Sequence, residues 1–328
     1  MNKIHTPLLM KKRDSVNTVM MNVLIAALPA LCWSVYVFGL RSVSIYAVSV
    51  LSAILCQFTG DLIIRRGQFR FDISCVVTGV IIGMAMPVSV PLWLPAAASG
   101  FAIIVFKMFF GGTGNNLFNP AAAGICFSYL LFGEYMTVFT KPFVSFSPFY
   151  LDVPSELLES SRTLTTMDEV RAGVVNPSCI SEELYGLAPG TIGTVSALLL
   201  FIGLVYLILT RTVHFNSALT FALTYMLLCV TLCYADYEPT QFMELQLVSG
   251  NLMFIFVFML NDYITTPTTS MGRIVFAALT AAGIFFVRQY GMVNYGEYFV
   301  VLVMNALSPV IERFTYPKVF GSKVREVS

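Results

Sequence analysis

The sequence predicts an all-α polytopic membrane protein of about ten transmembrane helices, arranged as two inverted five-helix repeats with both termini in the cytoplasm. Three observations predict it. Charged residues make up 11% of the 328 positions and hydrophobic ones 57%, whereas a soluble domain carries about 25% charged residues and needs them to cover a water-facing surface. Mean hydropathy is +0.79. Apolar runs of near-spanning length recur along almost the whole chain, and two Gly- and Pro-containing breaks among them repeat at one spacing.

A span requires about 20 apolar residues, with a range of roughly 17–25. Such runs cover 17–39, 43–64, 73–90, 93–110, 192–210, 216–234, 245–262, 272–288 and 296–312, and a shorter one covers 119–133. The first follows Lys11-Lys12-Arg13, as the apolar stretch of a signal peptide would. Its apolar run is too long for one and lacks an A-x-A cleavage site, so it reads as a retained first helix.

Basic residues orient the spans, because cytoplasmic loops carry the excess of Lys and Arg. With the N-terminus inside and the spans alternating, only Arg41, Lys141, Arg162, Arg171 and Arg288 face outward, and the other 14 of the 19 Lys and Arg residues face inward. The chain then divides into a first membrane half (1–133), an outer-face loop (134–190) and a second membrane half with a short cytoplasmic tail (191–328). The loop holds Ser/Thr runs, acids and five prolines, and reads as an irregular excursion with one short helix near 167–173.

The composition also excludes chemistry. A net charge of +1 argues against a nucleic-acid partner. Two histidines, His5 and His214, and seven cysteines without a CxxC pair leave little material for a metal centre or a histidine-based triad. Cys229 and Cys233, one helical turn apart, read as small buried hydrophobes. No Rossmann fingerprint, P-loop or metalloprotease motif occurs, so nicotinamide or ATP binding is expected on partner subunits.

The breaks carry the strongest functional signal. Pro87 and Pro267 lie 180 positions apart, as do Gly111 and Gly291. An odd number of spans in each half makes the halves inverted, and broken helices at the interface of inverted repeats point to the binding site. Gly111-Gly112-Thr113-Gly114-Asn115-Asn116-Leu117-Phe118-Asn119-Pro120 is too polar to face lipid as irregular backbone and must be covered by protein or line a cavity. The stretch 261–269, with Asp262 and Thr265, is similar. Asn119 before Pro120 is also a good helix cap. Gly112, Asn116, Asn119, Asp262 and Thr265 are therefore the candidate lining of a cofactor site or pathway.

These same residues resemble a known family. Gly111–Ala121, Gly190-Thr191-Ile192-Gly193-Thr194-Val195-Ser196, Asp262–Pro267 followed by Gly272-Arg273, and Met304-Asn305-Ala306-Leu307-Ser308-Pro309 with Glu312-Arg313 resemble, in order, stretches of the family of Rnf D-type and Nqr B-type membrane proteins. The resemblance runs from about residue 15 to 318 and is closest to the Rnf D-type members.

The resemblance implies a membrane subunit of an ion-translocating electron transport complex in the bacterial inner membrane, not catalytic alone. Its implied partners are ferredoxin- or NAD-reactive and Fe–S subunits, a second FMN-carrying subunit, a flavin transferase and the lipid bilayer. It also implies FMN joined through phosphate to a threonine of a Ser/Thr-Gly-Ala-Thr motif in the outer loop. The local equivalent is Thr163-Leu164-Thr165-Thr166, which keeps Thr-x-x-Thr and lacks the glycine. Thr166 matches that spacing, and Thr165 fits equally well when measured back from Arg171-Ala172-Gly173. The alternative class is a flavin-free relative acting as a channel or secondary transporter.

Overall fold

The computed structural model describes residues 16–63, 72–112, 116–144, 146–171, 178–194, 196–232, 238–260, 262, 264–291 and 296–316. The regular structure of the described chain is almost all helical. Its first half holds α1 (Val16–Phe38), α2 (Leu40–Ile63), α3 (Ile73–Met84), α4 (Trp93–Phe101, continued as a π-helical stretch Ala102–Met108) and α5 (Pro120–Leu131). A connecting region follows with α6 (Gly133–Met136), β1 (Phe139–Thr140), α7 (Ser155–Ser161), β2 (Arg162–Thr163), α8 (Thr166–Arg171) and α9 (Ser178–Tyr185). The second half holds α10 (Ala197–Leu209), α11 (Phe215–Thr231), α12 (Pro239–Val248), α13 (Leu252–Phe258), α14 (Ser270–Tyr290) and α15 (Glu297–Thr315).

Four helices, α1, α2, α14 and α15, are long and apolar enough to cross a membrane. The pair α12 and α13, bent by 56° at its break, makes a fifth. Apolar helices of 10–17 residues account for the other apolar runs. Their polarity is inside-out. On α2, Leu51 and Leu55 are about 60% exposed while Ser42, Ser49, Gln57 and Asp61 are buried. On α11, Leu219, Leu223 and Leu227, spaced four apart, form an outward stripe. Such a surface suits hydrocarbon and not water, and the chain is a multi-pass membrane protein.

Interiors of this kind are held by close approach and interhelical hydrogen bonds rather than by a hydrophobic drive. Ser49 Oγ donates to Gly79 O at 2.6 Å and lies 2.7 Å from Ser99 Oγ, tying α2 to α3 and α4. The two halves meet where α1 packs on α10 and α5 on α15. At Gly203 of α10, a Cβ would stand 2.7 Å from Ala26 O, so glycine allows this crossing. One continuous apolar core runs through both halves.

Three of the sequence-predicted spans are shorter or broken as helices. The run 73–90 is helical only to Met84, because Pro87 lacks an amide proton and disfavours helix just before it. The carbonyls freed there are met from the other half: Gly193 N donates to Met84 O at 2.6 Å and Ile192 N to Met86 O at 2.9 Å. Residues 191–194 therefore form a turn that plugs the end of α3, and α10 begins at Ala197 rather than near 192. A Cβ on Gly193 would fall 2.3 Å from Met84 Cβ, so the docking requires glycine. The run 245–262 breaks at Ser249-Gly250-Asn251, where Gly250 takes a φ of +66°. The loop is also more ordered than its composition suggests: Phe139 pairs with Thr163 and Thr140 with Arg162, closing a short ribbon beside α7 and α8.

Candidate functional site: two cavities at the ends of a short helix

Two polar cavities approach α13 from opposite ends. Asn251, at its N-terminal end, lines one, and Val257 and Phe258, at its C-terminal end, line the other. Between them lie seven helical residues, about 10 Å of rise.

The first cavity, about 70 Å³, brings both breaks together, being lined by Lys107, Ser74, Asn116, Asn119 and Asp262. Asp72 caps α3, accepting from Ser74 N at 3.0 Å and Ser74 Oγ at 2.8 Å. Lys107, 1% exposed, stands 3.2 Å from the Asp72 carboxylate and donates to Ser74 Oγ at 2.6 Å. Its position follows from the π-helical stretch of α4, whose extra residue per turn re-aims the side chain inward. Asn119 caps α5, accepting from Ala121 N at 3.0 Å and Ala122 N at 3.3 Å, with Pro120 in the first helical position. Asn116 is buried, and its Oδ1 finds no partner among the described residues. Asp262 closes a turn, accepting from Ile264 N at 3.3 Å and Thr265 Oγ1 at 3.4 Å.

Of the predicted residues, the cavity thus unites Asn116, Asn119 and Asp262. Gly112 and Thr265 flank it without lining it. Gly112, at φ +89°, ends the π-helical stretch, with its N–H donating to Lys107 O at 2.8 Å. Thr265 is buried behind Asp262. Thr113, Gly114, Asn115, Asn261 and Tyr263 lie outside the described residues, as does Cys233.

The second cavity is small, about 30 Å³, and Thr165, Asp168, Glu183, Thr191, Asn251, Arg288 and Glu297 contribute to its wall. Thr165 is the cap of α8. Its N–H and hydroxyl donate to Asp168 Oδ2 at 3.1 and 2.7 Å, and Asp168 N donates back to Thr165 Oγ1 at 3.3 Å. This reciprocal box occupies the Thr165 hydroxyl. Thr166 is 5% exposed and hydrogen-bonds through its side chain to Glu183. Burial pushes the Glu183 carboxyl up to about 8, against the opposing effects of Thr166 and Arg288.

Arg288 organises this cavity. It is 2% exposed and sits in the last turn of α14. Its Nη1 donates to Gln246 O at 3.0 Å, and its Nη2 donates to Ser249 O at 2.9 Å and Ser249 Oγ at 3.1 Å. The carbonyls freed by the break after α12 are thus satisfied by a guanidinium. Nε lies 3.5 Å from Glu297 Oε1, and Nη2 contacts Met167 Sδ at 2.8 Å.

Sequence reasoning used Lys107 and Arg288 only as markers of orientation. The signal that they line sites was present: an ionisable residue inside or at the end of an apolar run is a functional candidate. Glu297, at the start of the run 296–312, carried the same signal, and Glu183, in the connecting loop, did not.

For FMN esterified to a threonine, the two hydroxyls stand differently: Thr165 lines the cavity with its hydroxyl engaged by Asp168, whereas Thr166 is buried against Glu183 and does not line it. An ester at Thr165 would break the cap and bring a phosphate against the Asp168 carboxylate. At Thr166 the neighbour is Glu183, whose neutral acid form donates to an anion, with Arg288 in the same cavity.

A family profile described as the NQR2, RnfD, RnfE family matches residues 4–321 of the chain. The chain is 31% identical over 314 residues to the D component of the Na(+)-translocating ferredoxin:NAD(+) oxidoreductase complex of Acetobacterium woodii, covering 95% of this chain and 92% of that one. It is 30% identical over 336 residues to the D component of the ion-translocating oxidoreductase complex of Halorhodospira halophila, covering 94% and 92%. Against the component of the same description in Stutzerimonas stutzeri it is 27% identical over 333 residues, covering 95% and 94%.

Proposed function

The chain belongs to the NQR2, RnfD, RnfE family, and from that premise we propose that it is the D-type membrane component of an Rnf-type ion-translocating electron transport complex. The observation that carries the reading beyond family membership is the pair of polar cavities at the two ends of α13, each with a buried cation and carboxylates. A chain that only anchored other subunits would have no use for such sites, which are costly in a membrane. Electrons pass through partner subunits and a flavin, and this chain contributes the path of the ion across the bilayer.

The membrane architecture is read as ten spans in two inverted halves in the bacterial inner membrane, N- and C-termini inside. Corresponding helices support this: α1, α2, α3, α4 and α5 begin 175–181 positions before α10, α11, α13, α14 and α15. Contacts of α1 with its counterpart α10, and of α5 with α15, are those of a two-fold axis. In this topology the Lys107 cavity opens inward and the Arg288 cavity outward. The cofactor is FMN, esterified to Thr166, which supplies the one-electron carrier; Glu183 and Arg288 hold its attachment point, and the Lys107 cavity is a second candidate cofactor site. Partners are the ferredoxin- and NAD-reactive and Fe–S subunits, a second FMN-carrying subunit and the flavin transferase.

The replacement of the motif glycine by Leu164 favours a second reading, a flavin-free transporter-like relative. One experiment separates them. Membranes lacking this chain should lose reduced-ferredoxin-driven NAD⁺ reduction coupled to ion uptake, and regain it with the wild-type chain. Restored transport without electron transfer would favour the second reading, and undiminished coupled activity in its absence would overturn the first.

A further inference from the structure

A third cavity, about 150 Å³, lies where the turn before α11 meets the turn before α14. It is more than twice the size of the Lys107 cavity and shares only Thr212 with it. Arg273 opens the helix that Arg288 closes, so about 22 Å of helical rise separates this cavity from the Arg288 one. His214 and Ser217 line it from the start of α11, Thr266 and Thr268 from the turn before α14, and Arg273 from the first turn of that helix. Among the described residues no Asp or Glu lines it.

The hydroxyls of this wall are already spent. Ser217 Oγ donates to His214 O at 2.8 Å, Thr266 Oγ1 donates to Asp262 O at 2.8 Å, and the Thr268 hydroxyl donates to Glu312, which stands outside the wall. What remains is positive. The ion pairs among the described residues are Lys107–Asp72 and Arg288–Glu297, so neither Arg273 nor His214 has a carboxylate partner there. Arg273 reaches only Ser270 Oγ, at a long 3.4 Å. Partial burial and, after it, the nearby Arg273 hold the His214 imidazole below its usual value. Two basic side chains facing one another without an acid repel, and an anion between them reverses the sign. The start of α11 adds to the field, because His214 gives it no side-chain cap and its first amides precede the first intrahelical bond, Ala218 N to His214 O.

The surroundings say where the anion comes from. Phe215, Leu219, Leu223 and Leu227, all exposed and spaced four apart, form a stripe that starts beside His214, and exposed Met271 lies two residues from Arg273. The cavity thus sits at the head of a surface suited to an acyl chain. Basic pockets between transmembrane helices take anionic lipid head groups, and a guanidinium matches two phosphate oxygens at once. We propose that the cavity between the starts of α11 and α14 binds the phosphate of an anionic phospholipid, held by Arg273 and His214, with an acyl chain along the α11 stripe. Its place in the inner leaflet rests on the topology proposed above; the binding chemistry does not.

The test uses the purified full-length chain in detergent, with dioleoyl-phosphatidylglycerol and dioleoyl-phosphatidylcholine as lipid probes and inorganic phosphate as the free anion. Native mass spectrometry counts lipids retained per chain, and the melting temperature reports binding independently. Wild type should retain one phosphatidylglycerol where phosphatidylcholine is lost, and melt higher in its presence. Arg273→Gln should weaken that retention at least about tenfold, the loss of a charge-assisted contact, and Arg273→Lys should recover part of it. Arg313→Gln, which removes an exposed cation of α15 outside the cavity, should leave it unchanged. Equal retention of the two lipids by wild type overturns the proposal without any variant, as does equal weakening in Arg273→Gln and Arg313→Gln. A melting shift with inorganic phosphate that matches the one with phosphatidylglycerol overturns the lipid as the source. Failure of the electron-transport reading would leave the lipid preference in place.

Discussion

Arg288 Nη2 donates to the carbonyl oxygen of Ser249 at 2.9 Å, so the cation at the end of one span closes the break in another. The same side chain reaches Gln246 O on one side and Glu297 on the other, joining α12, α14 and α15 at a single buried point. Replacing Arg288 with Met should leave two carbonyls unpaired and a buried carboxylate uncompensated. The expected loss is about 3–5 kcal/mol, read as a lowered melting temperature in detergent. Arg288→Lys, with one nitrogen for several acceptors, should recover only part of it.

Gly193 makes a sharper geometric prediction. A methyl group there would meet Met84 Cβ at 2.3 Å and its Cα at 2.9 Å, forcing the 191–194 turn off α3. Gly193→Ala should destabilise by about 1–3 kcal/mol. Gly133→Ala, where an added Cβ meets nothing within 4 Å, should leave the melting temperature unchanged. Equal effects of the two would contradict the docking.

The pair of buried Lys107 and half-buried Asp72, 3.2 Å apart, calls for a double-mutant cycle. Removing Asp72 (Asp72→Ala) should cost about 3–5 kcal/mol, because it leaves the buried Lys107 ammonium unmatched, whereas Lys107→Met leaves a half-buried carboxylate that still caps α3 and should cost less. The double variant should be more stable than Asp72→Ala, with a coupling of about 0.5–3 kcal/mol. Additive losses would mean that the two charges do not interact.

The parts legible in the sequence were those written in continuous runs. Each apolar run coincides with a helix or a helix pair, and the two polar breaks do meet, since Asn116, Asn119 and Asp262 share one cavity. The break at Ser249-Gly250-Asn251 was hidden because three residues barely lower the hydropathy of a window of about 19. Glu183 and Glu297 lie far apart in the chain and become a pair only through packing on Arg288. The choice between Thr165 and Thr166 was equally closed to sequence. Both are hydroxyls at the head of one short helix, and only the partner of each hydroxyl distinguishes them.

That distinction is testable. With the transferase present, Thr166→Ala should abolish flavin fluorescence of the denatured, gel-resolved chain. Thr165→Ala should retain it while losing the α8 cap, at about 0.5–2 kcal/mol. Flavin surviving in Thr166→Ala and lost in Thr165→Ala would reverse the assignment, and an unmodified 163–171 peptide from assembled wild-type complex would remove FMN from the chain.

The pH dependence of stability follows from Glu183, raised from an ordinary 4.5 to about 8 by burial. Its folded form holds a proton that the unfolded chain has released across that window. Folding therefore takes up a proton between the two values, and stability falls as pH rises through them, by at most about 1.4 kcal/mol per pH unit. Below the unfolded value both states are protonated and the slope vanishes; above about 8 both are ionised and the full penalty of burying the charge is present. Arg288 and the Thr166 hydroxyl, which favour the ionised form, set how large that penalty is. In Glu183→Gln the slope should disappear, because the amide is neutral at every pH. The variant should then melt above wild type at alkaline pH, while the two converge toward mildly acidic pH. Melting curves of both proteins across that range decide the matter: parallel curves would place the Glu183 carboxyl at an ordinary acidity and leave it ionised in the folded protein.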